Sequence, residues 1–292
     1  MRTKELLIAS AGALLLLGSC DVKDPIYNSA HPEQGTVMLT TDWSHIGGGI
    51  ALPESYTVKA ADFLTVVSDA ANTLDHLFEP GTYEFYVYNT PEHITVTGTT
   101  VTVSSASVSV AQAGTFINNT PGWFFSGSAK ALIEKDKEHR LTAAMQQQIR
   151  QLTLIIELTG GTAARVEEIT ATLTGVAGAF DFKNGTYAAS SSVTLAFSKI
   201  TDGADAGKWK ADVRLLGILG SQQLLTGTIL FTDNTPTDNF NSDLSTSLTS
   251  FNNDKRNPLK LDGTVVETPT EAGFTSTIKE WEIVERGPVI AE

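Results

Sequence analysis

The side chains able to do chemistry are few and scattered. One cysteine, Cys20, stands in 292 residues. A reactive thiol needs a cationic or imidazole neighbour to lower its pKa, and Cys20 is followed by Asp21 and Val22. The five histidines are His31, His45, His76, His93 and His139, and no two fall at a metal-ligand spacing. Neither a Gly-x-Ser-x-Gly elbow nor a phosphate-binding glycine loop occurs. The glycines of IGGGIALP, residues 46 to 53, lack a following helix or lysine and read as a loop. Asp42, Trp43, Ser44 and His45 stand in a row, but neighbours on a strand point to opposite faces and cannot converge. Trp43 reads as a core residue at a strand end. Asp233, Asp238 and Asp243 could offer oxygen ligands to calcium. Their run lacks the glycine and closing glutamate of a calcium loop, so a solvated loop is the simpler reading. The expectation is a non-enzyme with no cofactor and no metal site, although a carboxylate pair could still hide among the acids.

Cys20 makes better sense as a processing site. Arg2 and Lys4 give a short positive start, Leu6 to Leu17 an apolar stretch, and Gly18 and Ser19 a small-residue end. That is the layout of a secretory signal, and it is too short for a permanent membrane span. Leu17-Gly18-Ser19-Cys20 resembles the bacterial lipobox, in which cleavage precedes a cysteine that receives a diacylglycerol and an acyl chain. Each buried methylene contributes about 0.8 kcal/mol and one fatty chain holds only marginally, so a multiply acylated Cys20 would make a stable anchor. The alternative is an ordinary cleaved signal with a chance cysteine. Residues 1–19 are thus expected to be signal peptide, and 20–34, with two prolines and mostly polar side chains, a lipidated linker.

Loss of residues 1–19 removes Arg2, Lys4 and Glu5 and leaves 18 basic against 32 acidic side chains, a net charge of −14. An acidic chain with scattered Lys and Arg argues against nucleic acid and against anionic lipid as electrostatic partners. Thr, Ser, Gly, Val and Leu are plentiful and charged runs of helical type scarce, which favours strands. Val37, Leu39 and Thr41 share one face of a first strand, GTVMLTTDW. LPESYTVKA and DFLTVVSD follow as short candidates. Tyr83, Phe85 and Val87 then alternate with Glu84, Tyr86 and Tyr88 after a Pro80-Gly81 turn. Ile94, Val96, Val101 and Val103 continue the period-two pattern around Gly98, the signature of an antiparallel sandwich.

Residues 123 to 159 are ambiguous. WFFSGSAKALI reads as a strand and EKDKEH as a charged hairpin tip, while RLTAAMQQQIRQLTLIIEL starts like a helix. Leu152, Leu154, Ile156 and Leu158 share one face, so one long strand, regular or bulged, is preferred. From residue 165 strands recur, with Asn184-Gly185 as a hairpin turn. Residues 233–257 read as a long surface loop with a short helical turn near Leu244 to Leu248. Two sandwiches in tandem, 35–150 and 151–292, fit this spacing, with the boundary falling within 125–150.

The aromatics carry a second functional reading. Trp123, Phe124 and Phe125, with Trp209 and the Tyr83/Tyr86/Tyr88 strand, could stack against sugars, making the chain a glycan-binding lipoprotein. Alternation sets Phe124 opposite Trp123 and Phe125, which favours the core for part of that set.

The motif order carries a resemblance. The lipobox, the leash, TVMLTTDWS, PGTYEFYVYN, MQQQIRQLTLIIELTG, ATLTGVAGAFDF and GFTSTIKEWEIVE together resemble the fimbrillin superfamily of Bacteroidota, in its minor, lipid-anchored branch. The resemblance implies an all-β chain of two transthyretin-like sandwiches. It also implies a non-enzymatic role in pilus assembly or cell adhesion at the outer membrane, with other fimbrial subunits as partners through β-strand augmentation. Shaft members are trimmed at a basic site in the first strand region. Here Lys23 is the sole Lys or Arg between Cys20 and Lys59, which favours an anchor over a shaft subunit.

Overall fold

A computed structural model describes residues 33–107, 115–117, 120–159, 163–232, 238–270 and 273–284. Cys20, the signal segment, most of the linker, Asp233 and residues 285–292 lie outside them.

Period-two patterning sets the first half. Val37, Leu39 and Thr41 are buried along β1 (Thr36–His45). β2 (Tyr56–Ala60) and β3 (Phe63–Val67) pair as a hairpin, β4 (Ala71–Thr73) lies beside β1, and β5 (Gly81–Tyr88) follows Pro80. β6 (Ile94–Thr97) and β7 (Thr100–Val103) form a hairpin around Gly98, followed by β8 (Ser105–Ser107) and β9 (Thr115–Ile117). β10 (Phe125–Ile133) and β11 (Glu138–Gln147) flank the charged tip expected at EKDKEH.

The long strand expected through residue 158 is instead divided. β11 ends at Gln147 and β12 (Arg150–Leu158) begins three residues later. The chain changes cores at this point: Met145 belongs to one hydrophobic cluster and Ile149 to the other. The Gln147 side chain fills the gap in the ladder, its Nε2 donating to the Ile149 carbonyl at 2.7 Å.

β13 (Val166–Asp181) and β14 (Thr186–Lys199) make a long hairpin closed at Asn184-Gly185, the turn read from the sequence. Gly175 permits β13 to run unbroken: with φ of +71° it carries the register shift between Leu173 and Val176. β15 (Trp209–Leu215) and β16 (Leu224–Phe231) follow, then β17 (Asp238–Asp243), α1 (Ser245–Leu248), β18 (Leu259–Thr270) and β19 (Gly273–Ile283). α1 falls at the helical turn expected there. β17 corrects the long-loop expectation: DNFNSD has poor strand propensity, but Phe240 is buried, and Ser242 Oγ accepts a bond from Trp281 Nε1 at 2.8 Å. Tertiary packing overrides composition.

The first sheet runs β3-β2-β5-β10-β11-β1-β4, with β1 parallel to β11 from Thr36↔Glu138 to Asp42↔Ala144. The β10–β11 ladder holds just two residue pairs, Phe125↔Gln147 and Ser126↔Gln146. Val58 and Phe85 from one side of that corner pack in the same core as Leu39 and Met145 from the other. The sheet therefore folds over on itself into a sandwich.

The second sheet closes into a ring. β13 pairs with β16 along one edge and β14 along the other, and the order β13-β16-β17-β19-β18-β12-β15-β14 returns to β13. Two corners are thin, with two residue pairs at β14/β15 and two at β17/β19. Ile169, Leu195, Leu154, Val213 and Leu261 meet inside. The ring is thus flattened, four strands against four. The β6–β7 hairpin continues β13 beyond β16, and β9 joins β14, so among the described residues β6, β7, β8 and β9 belong to the second sheet and not to the first.

Candidate functional site

The residues singled out in the sequence do not converge. His31 lies outside the described residues. His76 stacks on Phe63 with ring centroids 4.8 Å apart, and His139 Nε2 accepts from the Glu134 backbone N–H. Among the described residues no group of three His, Cys, Asp or Glu side chains is placed to hold a metal ion. Asp42 Oδ1 accepts from the Ser44 N–H, a local turn, and Trp43 packs edge-on against Tyr56 and Phe125 as a core residue. Asp243 Oδ1 is occupied by the backbone and side chain of Ser245, whose two bonds hold its pKa below the usual range.

The aromatic platform does not form. Phe124 and Phe125 are both buried, in different cores, because alternation sends neighbours to opposite sides. Trp209 is 5 % exposed. Trp123 is half-buried and packs against both cores, with the Arg214 guanidinium 5.4 Å from its ring centroid. Tyr86 is covered by Lys183, whose Nζ lies 5.3 Å from its ring centroid.

The densest polar chemistry lies at the end of the second core that faces the junction. A loop after α1 carries Lys255, whose Nζ donates to the Gln148 and Leu216 carbonyls, each at 2.8 Å. The rings of Phe180 and Tyr187 stand 4.8 and 4.9 Å from that nitrogen. Burial, and then the neighbouring Arg150 guanidinium, push the ammonium down to about 7. Arg150 donates to Asn257 O at 2.7 Å and Phe251 O at 2.9 Å, and Gln147 Oε1 accepts from Gly47 N at 3.0 Å. From the other side, Phe182 at the β13–β14 tip packs against Tyr86, Tyr88 and Phe124, while Lys183 Nζ donates to Glu84 at 3.0 Å. The bonds of Gln147 with Gly47 and Lys255 and the contacts of Phe182 and Lys183 with β5 tie the two sheets together, while Lys255 and Arg150 close the second core beside them. The donors meet backbone carbonyls and ring faces, and no open cleft receives them.

A groove of about 540 Å3 lies on the outer face of β12, β18 and β19, lined by Ile155, Glu157, Lys208, Asp262, Glu280 and Glu282. Glu157, Lys208 and Asp262 among its charges are paired with each other or with neighbours. Lys208 meets Asp205 at 3.1 Å and Glu157 at 3.7 Å, and Lys260 meets Asp205 at 3.0 Å. Lys260 and Lys208 hold the Asp205 carboxyl low. Each carboxylate with a displaced pKa among the described residues is displaced downward, whereas a general acid at neutral pH needs one raised.

What remains open is main chain. Among the described residues four strands pair along one edge: β3, β4, β6 and β8. β4 and β8 have three residues each, β6 four and β3 five.

The sequence matches the family model for fimbrillin-A associated anchor proteins Mfa1 and Mfa2 over residues 49–287. The chain belongs to this family. It is a family of fimbria-associated structural proteins, not of enzymes. Its fold is similar to that of the fimbrial anchor protein Mfa2 from Porphyromonas gingivalis, with TM-score 0.55 at 14 % identity, covering 86 % of this chain and 97 % of that one. A candidate adhesin from Bacteroides ovatus aligns with TM-score 0.56 at 14 % identity, over 91 % and 98 % of the two chains. A candidate polysaccharide-binding protein from Bacteroides thetaiotaomicron aligns at 0.52 with 6 % identity, over 87 % and 99 %. No curated protein matches. The edges that could receive a strand carry no sequence motif of their own. Short alternating runs announced the strands, but which strand ends a sheet depends on long-range order.

Proposed function

We propose that this protein is a lipid-anchored subunit that fastens or limits fimbriae at the outer membrane, facing the cell surface. The observation that carries the reading is the family match over residues 49–287. Cys20 is the attachment point: after cleavage it bears the acyl chains, and residues 20–34 form a tether long enough to lift the folded part clear of the lipid. The folded part is two tandem transthyretin-like sandwiches divided near residue 150, with β6, β7, β8 and β9 supplementing the second. Its partners are other fimbrial subunits, received by β-augmentation, in which backbone hydrogen bonds give affinity and alternate side chains give specificity. With Phe124, Phe125 and Trp209 buried, the platform behind a glycan-binding alternative is lost.

Two measurements test this. Cys20→Ser should move the protein from the membrane to the soluble fraction, and mass spectrometry should find a diacylated or triacylated Cys20 at the mature N-terminus. An unmodified cysteine, or a mature start elsewhere, defeats the anchor. Fimbriae sheared from intact cells should retain the wild-type chain, and its absence from them would defeat the assignment to fimbriae.

A further inference from the structure

We infer that the free edge of β3 is where a partner strand docks. Its occupant would be an extended segment of another subunit, with apolar side chains at alternate positions and basic residues at its ends. The inference rests on the fimbrial reading above and adds to it a place and a chemistry.

Among the described residues the eight main strands of the second sandwich form a ring, open only along its thin β14/β15 and β17/β19 corners. The strands appended to it end in β6 and β8, and the first sandwich ends in β3 and β4. Of these four, β3 is the longest, and it pairs with β2 without a register shift from Tyr56↔Val67 to Ala60↔Phe63. Natural edges are blunted by lysine, proline, a bulge or extreme shortness. FLTVV carries no charge, proline or bulge.

Its side chains invite cover. Leu64 is 60 % exposed and Val66 62 %, both on the outer face, with Phe63 and Val67 half-buried on the other. An added strand would flank Leu64 and Val66 on one face and Phe63 and Val67 on the other. Its own central residues would therefore be apolar on both sides.

Charge then selects among occupants. Asp62 precedes β3, Asp69 follows two residues after it, and Glu54 and Asp75 stand on the adjoining loops, all exposed, against a single lysine in this region, Lys59. A second copy paired antiparallel, edge to edge about Thr65, would bring Asp62 of each copy beside Asp69 of the other, a like-charge arrangement that costs affinity. The chain's own leash fares no better, since residues 20–34 bring Asp21, Asp24 and Glu33 against Lys23. A foreign strand with basic flanks meets complementary charge at both ends.

The test uses the full-length chain in cells. Leu64→Lys/Val66→Lys should reduce fimbrial subunits co-purifying with the protein by about tenfold or more, the effect of losing two apolar contacts. Its melting temperature should stay at the wild-type value, since both side chains are exposed. A second measurement does not depend on that variant folding. Leu64→Cys adds a thiol to a chain whose sole cysteine is Cys20, and a thiol-to-amine cross-linker should join it to a lysine at the end of an extended segment of a fimbrial subunit. Thr95→Cys on β6 should give no such adduct. An adduct to a second copy or to residues 20–34, equal capture at residue 95, or no adduct at residue 64 would overturn the inference. If the wild-type chain retains no fimbrial subunit, the anchor reading itself fails and this inference with it. If wild type and the lysine variant retain them equally, the edge assignment alone fails.

Discussion

Lys255 offers a quantitative test of how the second core is closed beside the junction. Its ammonium sits between Phe180 and Tyr187, bonded to Gln148 O and Leu216 O, and burial with the nearby Arg150 pushes its pKa from 10.5 to about 7. The sign follows from proton counting. Between about 7 and 10.5 the unfolded chain holds this proton and the folded chain has released it, so stability must rise with pH in that window. The limiting slope is about 1.4 kcal/mol per pH unit. From pH 7 to 9, allowing for half-titration at the lower end, the gain is about 2 kcal/mol. Tyr187, raised by burial to about 12, acts in the opposite sense, but only above the ordinary tyrosine range, near 10. Urea unfolding followed by tryptophan fluorescence at pH 7, 8 and 9 reads the slope directly. Lys255→Met, which keeps the stem between the two rings and removes the titration, should flatten it. A wild-type stability that is level or falls over the same range would refute the reasoning. It would mean that two carbonyls and two ring faces outweigh desolvation and keep the lysine charged.

Other outcomes are more local. Gly227→Ala should cost about 1–3 kcal/mol, because the new methyl runs into the buried Phe240 ring on the paired strand; the denaturation midpoint will show it. Arg150→Met leaves the carbonyls of Phe251 and Asn257 without their donor and should cost about 3 kcal/mol, with faster amide exchange along residues 250–257. Phe182→Ala removes a half-buried ring from the contact between the cores. About 2 kcal/mol, half the loss for a fully buried ring, is expected in calorimetry.

Much of the strand pattern is legible because burial repeats every second residue. Val37/Leu39/Thr41 and Leu152/Leu154/Ile156 are buried as the alternation required. Asn184-Gly185 closes a hairpin because Gly185, with φ of +68°, supplies the left-handed conformation that the turn needs. The failures have a common cause. The division between β11 and β12 and the strand at DNFNSD are both fixed by distant partners: Gln147 by Gly47 and Lys255, Phe240 by Gly227. No local propensity encodes such partners. The junction escaped notice for the same reason. Lys255 and Arg150 are ordinary basic residues in sequence and gain their character from rings and carbonyls far along the chain. The four free edges are likewise a property of topology, invisible until every strand has found its neighbour.

The parallel register of β1 and β11 has a mechanical meaning. Their N-terminal ends lie together at Thr36 and Glu138, and their C-terminal ends at Asp42 and Ala144. A pull on the chain ahead of Gly35, resisted by the chain beyond Gln147, acts along both strands in opposite directions. The hydrogen bonds between them are then strained in shear, all at once, instead of peeling away singly. Survival under such a load is set by the height of the unfolding barrier, not by equilibrium stability, and the first sandwich is strung so that the barrier includes the whole ladder.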